Sequence, residues 1–209
     1  MDTTDTPRDQ TPRAPAPHDP VPHDLAPAAD ALAAVVATVR EEHLSVPTPA
    51  APYAVGDLLD HVDGMAAGML ATARKRPVPP ELLGESDAAL LRPGWRERVP
   101  AALRDLAAAW ADPAAWEGET VAGTVPLPAA AAGMFVLDEL VVHGWDLARA
   151  TGLPLRTAEA DVLALLAFLR DVPRAPGLFG PPVAVPDDAP ALDRLVGLTG
   201  RDPAWAPPR

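Results

Sequence analysis

The sequence predicts an all-α fold, a bundle of amphipathic helices around one core. Apolar residues recur three and four positions apart through most of the chain, and no stretch shows the two-residue alternation of a half-buried strand. Alanine and leucine dominate the apolar set while aromatics make up only 4%, and such residues give up little side-chain entropy in a helix. With 48% hydrophobic residues among 209, the chain can bury the core of one domain.

Residues 1–23 (MDTTDTPRDQTPRAPAPHDPVPH) are rich in proline, aspartate and threonine with almost nothing to bury. They read as a disordered tail ahead of a bundle spanning 24–205, and His18 and His23 within it read as solvated. A first helix is expected from about Asp24 to Leu44, with Leu25, Leu32, Val35, Val36 and Val39 as its apolar stripe. The prolines of VPTPAAP at 46–52 stop it. A second helix runs from about Val55 to Arg74, where Leu58, Val62, Met65 and Met69 fall at spacings of 4, 3 and 4 on one face. RPVPPELLGESD at 76–87 reads as a loop or short broken helix.

A third helix, about Trp95 to Ala111, carries Val99, Leu103, Leu106 and Trp110 on one side. Asp112 to Pro128, with Gly118, Gly123, Pro126 and Pro128, reads as irregular. A fourth helix from about Ala129 to Ala150 is apolar at its start and closes at Thr151-Gly152, glycine being favoured just past a helix end. A fifth, Ala158 to Asp171, supplies Val162, Leu165, Leu166 and Leu169. A last short helix is expected near Ala191 to Leu198.

Charge and composition exclude several functions. A formal charge of -12 and a pI near 4.7 argue against nucleic-acid binding, which needs a basic footprint. No run approaches the ~20 apolar residues of a membrane span, and the polar N-terminus lacks the apolar core of a signal peptide, so a cytoplasmic protein without a membrane partner is expected. The chain has no cysteine, which removes disulfides, cysteine nucleophiles and thiolate metal ligands. Thiol chemistry would need a thiol from outside.

The informative stretch is Glu139-Leu140-Val141-Val142-His143-Gly144-Trp145-Asp146. Positions i and i+4 of a helix lie roughly 40° apart and about 6 Å along the axis, so Glu139 and His143 can aim at one atom. Asp146 returns to within about 60° of the same direction. The helix is apolar nearly all round, so this Glu and His are expected to be buried, and a buried carboxylate needs a cation, strong donors or a proton. A divalent metal would satisfy both, as would an i,i+4 hydrogen bond or an arginine from elsewhere.

His61, in LLDHVDGM, lies on the flank of the second helix's apolar face; a lone histidine there is more often a satisfied core residue than a ligand. Two bundle helices each offering inward ligands is nonetheless an arrangement that metal-binding bundles use. Two imidazoles and a carboxylate suit zinc and leave a position open; nickel or iron(II) could use the same set. Asp57 and Asp146 are candidates to accept the other N–H of a ligand imidazole. Asp57 also reads as an exposed helix carboxylate. Trp95, Trp110, Trp116 and Trp145 are expected to pack, and Arg149 lies off the ligand face.

The blocks LLDHV, LDELVVHGWDLARATG and FGPPVAVPDDAPALDRLVGLTGRDPAW resemble the DinB-like metal-binding proteins, and more narrowly the maleylpyruvate isomerase family of mycothiol-dependent enzymes. The resemblance implies a DinB-like four-helix bundle with an additional C-terminal helical segment. It places the metal, zinc or another divalent ion, on His61, Glu139 and His143. It further implies mycothiol as cosubstrate, in an isomerase or S-transferase whose metal activates this external low-molecular-weight thiol for attack on a small electrophile. Two departures stand out. Ala50-Ala51-Pro52-Tyr53 replaces a Cys-x-x-Trp-like sequence, and the further C-terminal domain of full isomerases has only a short segment as its counterpart. Metal-assisted hydrolysis with Asp146 as base, or a binding bundle without turnover, are the competing readings. Apolar bundle faces also allow a homodimer.

Overall fold

The computed structural model describes residues 22–173 and 178–208; His18 and nearly all of the expected tail lie outside them. Four helices form the bundle: α1 (Ala26–Thr38), α2 (Val55–Ala73), α3 (Trp95–Trp110) and α4 (Ala129–Thr151). Both α1 and α2 pack against α3 and α4. Two shorter helices, α5 (Glu159–Arg170) and α6 (Ala191–Leu198), pack on each other, and α5 also packs on α4. The expected all-α bundle with an added C-terminal helical segment is what the chain forms.

The expected stripes are the core. Leu32, Leu58, Val62, Leu103, Leu106, Val136 and Leu137 are all 0% exposed, and truncating a leucine such as Leu103 to alanine is expected to cost about 2–5 kcal/mol. The N-terminus of α2 is closed by Asp57, whose Oδ2 accepts the Ala54 amide at 2.9 Å. α4 ends at Gly152, whose φ of 68° favours glycine. Gly133 lets α4 approach closely, because a Cβ there would stand 2.5 Å from the Trp116 ring.

Three expectations are corrected. The first helix stops at Thr38 rather than Leu44. Arg96 Nε of α3 donates to the Val39 carbonyl at 3.1 Å, and His43 Nδ1 accepts the Arg40 amide at 3.2 Å. These tertiary and local partners replace the helix ladder, and residues 41–43 form a separate 3-10 turn.

The segment expected to be irregular contains an antiparallel hairpin, β1 (Glu119–Ala122) and β2 (Val125–Pro128). Its two-residue turn begins at Gly123, with φ 62°. The hairpin is tied to α2 by Thr120 Oγ1 donating to Thr72 O at 2.8 Å and Thr72 Oγ1 to Val121 O at 3.1 Å. Third, His23 is not a solvated tail residue. Its Nε2 lies 2.7 Å from Oδ1 of Asp161, a carboxylate buried on α5.

Candidate metal centre

The packed stripes of α2 and α4 bring their intervening polar residues face to face. His61 Nε2 lies 3.2 Å from Glu139 Oε2, and His143 Nε2 lies 3.0 Å from the same oxygen. One donor atom from each of the three side chains falls within 4.8 Å of the others. The His61 and His143 rings meet edge to face with centroids 4.9 Å apart. Exposure is partial, with side-chain values of 29% for His61, 27% for Glu139 and 11% for His143. The residues expected from two distant stretches therefore share one point.

Behind His143 stands a second layer of charge. Its Nδ1 is 3.0 Å from Asp146 Oδ2. Asp146 is 0% exposed and accepts Arg201 through Nη2 at 3.0 Å and Nε at 3.3 Å. Arg201 is itself fixed by donating Nη1 to Thr199 O at 2.8 Å. Such two-point guanidinium–carboxylate pairing is strong and orienting. Asp146 thus stands where the sequence put it. Arg201, fifty-five positions along the chain from it, was not singled out in advance, although it lies inside the C-terminal block that carries the family resemblance.

Electrostatics follow from this crowding. Burial opposes charge on His143, but Glu139 and Asp146 outweigh it and hold the imidazolium up to about 9. Burial would likewise raise Glu139, yet the charge of His143 and the hydrogen bonds of both imidazoles hold its carboxyl well below the usual range. Asp138, next to it, is pushed up to about 7 by burial and by the Glu139 charge. Its Oδ1 is buried with no hydrogen-bond partner among the described residues.

The three side chains form part of the wall of a cavity of about 570 Å³. Tyr53, Asp138, Val142 and Arg201 also line it. The Tyr53 ring stacks over His61, centroids 6.0 Å apart. It is carried there by a loop in which Thr48 Oγ1 donates to Tyr53 O at 2.8 Å.

The other candidates take different places. Asp57 does not back His61, since its oxygens accept the amides of Ala54 at 2.9 Å and Ala88 at 2.7 Å. Nor is it a free surface carboxylate. Trp95, Trp110, Trp116 and Trp145 are buried in packing, and none lines this cavity. Arg149 is turned away, donating to the carbonyls of Pro203 and Trp205.

The donor set fits a divalent ion. Two imidazole nitrogens and a carboxylate oxygen are borderline ligands typical of zinc. The 3.2 and 3.0 Å separations approach the ~3.4 Å expected between neighbouring ligands about 2.1 Å from a tetrahedral centre. With Asp146 at Nδ1, the other ring nitrogen of His143, Nε2, is the one turned to the shared point beside Glu139.

Residues 25–148 match the family described as "Mycothiol maleylpyruvate isomerase N-terminal domain". The uncharacterized proteins MT0763 and Rv0738 of two Mycobacterium tuberculosis strains are each 30% identical to the chain over 184 residues, covering 83% of it and 93% of their own length. The crystal structure of the mycothiol-dependent maleylpyruvate isomerase superposes with a TM-score of 0.52 at 16% identity, over 70% of this chain and 66% of that one. At that identity the likeness shows the fold.

Proposed function

The chain belongs to the mycothiol maleylpyruvate isomerase N-terminal domain family, and on that premise we propose that it is a mycothiol-dependent isomerase or S-transferase whose His61, Glu139 and His143 hold one divalent ion, zinc being the best fit. The observation that carries this reading is the convergence of the three donors on the wall of an open cavity. An ion so held would supply Lewis acidity, lowering the pKa of an external thiol toward the thiolate at neutral pH.

The chain's own residues set up that chemistry. Asp146 accepts the Nδ1 proton of His143 and thereby fixes the tautomer that offers Nε2. Arg201 holds Asp146 in place through two donated hydrogen bonds. Glu139 lends one negative charge, so a divalent ion with two neutral imidazoles retains net positive charge toward an incoming sulfur. The adjoining cavity, about 570 Å³, has the size of a small-molecule site. With no cysteine in the chain, no internal thiol competes for the open position.

Asp146 is fully buried and bonded to both His143 and Arg201, so it is not free to act as base toward a water. That weighs against metal-assisted hydrolysis.

The test is a thermal-shift matrix on the full chain: chelated, zinc-loaded, with mycothiol, and with both. Mycothiol is expected to raise Tm only in the zinc-loaded protein. Equal stabilisation of the chelated protein, or none in either, contradicts the reading.

A further inference from the structure

A second cavity, of about 230 Å³, also reaches the candidate centre and has His61 and Glu139 in common with the first. Its walls are Met65 and Met69 of α2 together with Val78, Leu82 and Leu83. Beyond His61 and Glu139, Ser86 adds a polar side chain, and among the described residues no arginine or lysine lines the space. The turn of the hairpin closes one end, with Gly123 in the wall and a Cβ there 3.7 Å from Leu83 Cδ2.

The chemistry of this chamber differs from that of its neighbour. Arg201 and Asp138 make the larger cavity polar. In the smaller one the only charged groups are those of the candidate centre itself. Methionine side chains are polarisable, adapt their shape and make favourable contacts with aromatic rings. The cavity is open to solvent, and its volume of about 230 Å³ exceeds the ~150 Å³ of an enclosed apolar cavity that holds benzene, room for a substituted ring or a short alkyl chain. Apart from the ion at the centre itself, the described lining offers an anionic substituent no cationic side chain to pair with.

The helix is also cut away where the chamber needs room. Gly64 lines it, and a Cβ built on Gly64 meets nothing within 4 Å. Glycine in a helix interior is unfavourable relative to alanine. Here its effect is empty space one turn from His61.

We infer that this chamber is the binding site for the uncharged, apolar portion of the electrophile, an aryl or alkyl group, which it presents to the metal centre while the larger cavity takes the thiol. The inference rests on the proposed function for the meaning of the centre, but the chamber's occupancy is measurable without turnover. A carboxylate-bearing group has no side-chain partner along the Met65, Met69, Val78, Leu82 and Leu83 wall and is the poorer ligand for it.

The test uses the full zinc-loaded chain with 13C-methyl-labelled methionine, with 1,3-dinitrobenzene as an unreactive uncharged probe and maleate as the anionic control. The Met65 and Met69 methyl signals are expected to shift and saturate with dinitrobenzene, Met134 to stay still, and maleate to move neither. Gly64→Leu is expected to weaken dinitrobenzene binding at least tenfold while keeping the parent's zinc content. Gly64→Ala, whose methyl enters open space, is expected to give a smaller loss in the same direction. Unmoved Met65 and Met69 signals, unchanged affinity in both Gly64 variants, or saturation of the same methyls by maleate would each overturn the inference. Should the parent hold no zinc yet show the methionine shifts, the chamber stands and the metal reading falls. Zinc- and mycothiol-dependent stabilisation without methionine shifts has the opposite meaning.

Discussion

His61 and Asp63 are two residues apart on α2, and each meets a residue of opposite character across the bundle. Asp63 pairs with Arg92 at 2.8 Å and with Arg98 of α3. His61 faces Glu139 of α4 at 3.2 Å. Both clusters put one carboxylate between two nitrogen-bearing side chains, yet their chemistry differs. Guanidinium is permanently charged and has no lone pair to give. The Asp63 cluster is therefore a closed ion-pair site. An imidazole can exchange its proton for a metal, so the Glu139 cluster can be loaded and unloaded. The lesson is that partner type, more than burial, separates a structural carboxylate from a candidate centre. Asp63 is the more buried of the two, at 7% against 27%.

That contrast can be broken by substitution. The largest effect is expected at Asp146→Asn, which should weaken zinc affinity about 10–100-fold in a chelator competition, because groups that orient a ligand imidazole carry that much. If affinity is unchanged, the charge behind His143 is packing alone. Asp63→Asn should do the reverse. It is expected to lower stability by about 1–3 kcal/mol in denaturant unfolding, discounted for the 65% exposure of Arg92, while zinc content stays at the parent value. Loss of zinc in Asp63→Asn would erase the distinction between the two clusters.

Acidity separates the clusters further. In the metal-free protein the His143 imidazolium is held up to about 9. Its pairing with Glu139 is fully stabilising below the free imidazole value near 6.5 and is lost as the pH rises through about 9. Zinc needs the neutral ring and so runs the other way. Its apparent affinity is expected to climb by about tenfold per pH unit between 7 and 9, read by titration against a competing chelator at each pH. A flat profile would mean that no imidazole proton is displaced. The smallest effect on the centre is expected at His23→Ala, which takes away a partner of the buried Asp161 carboxylate and should lower stability by about 1–3 kcal/mol with no change in zinc.

The bundle was legible because its signals are local. The i,i+4 spacing of Glu139 and His143, the return of Asp146 one turn later, and the glycine after Thr151 each follow from helix geometry. What the sequence hid depends on partners far along the chain. Arg201 meets Asp146 across fifty-five residues, and Arg96 ends the first helix from fifty-seven away. The hairpin escaped because its strands are four residues each, and two prolines break the alternation of β2. Pro126 sits opposite Val121 in a strand with a free edge, where its missing N–H does no harm. His23 was misplaced because a polar, proline-rich surrounding says nothing of a carboxylate folded over it from α5.

The most direct test is the metal content of protein purified without a metal-affinity tag, measured by elemental analysis beside His61→Ala and His143→Ala. About one equivalent of a divalent ion in the parent, and little in either variant while both keep their helical circular dichroism, is the expected result. Equal metal in all three proteins would contradict the assignment of His61 and His143 to a shared ion.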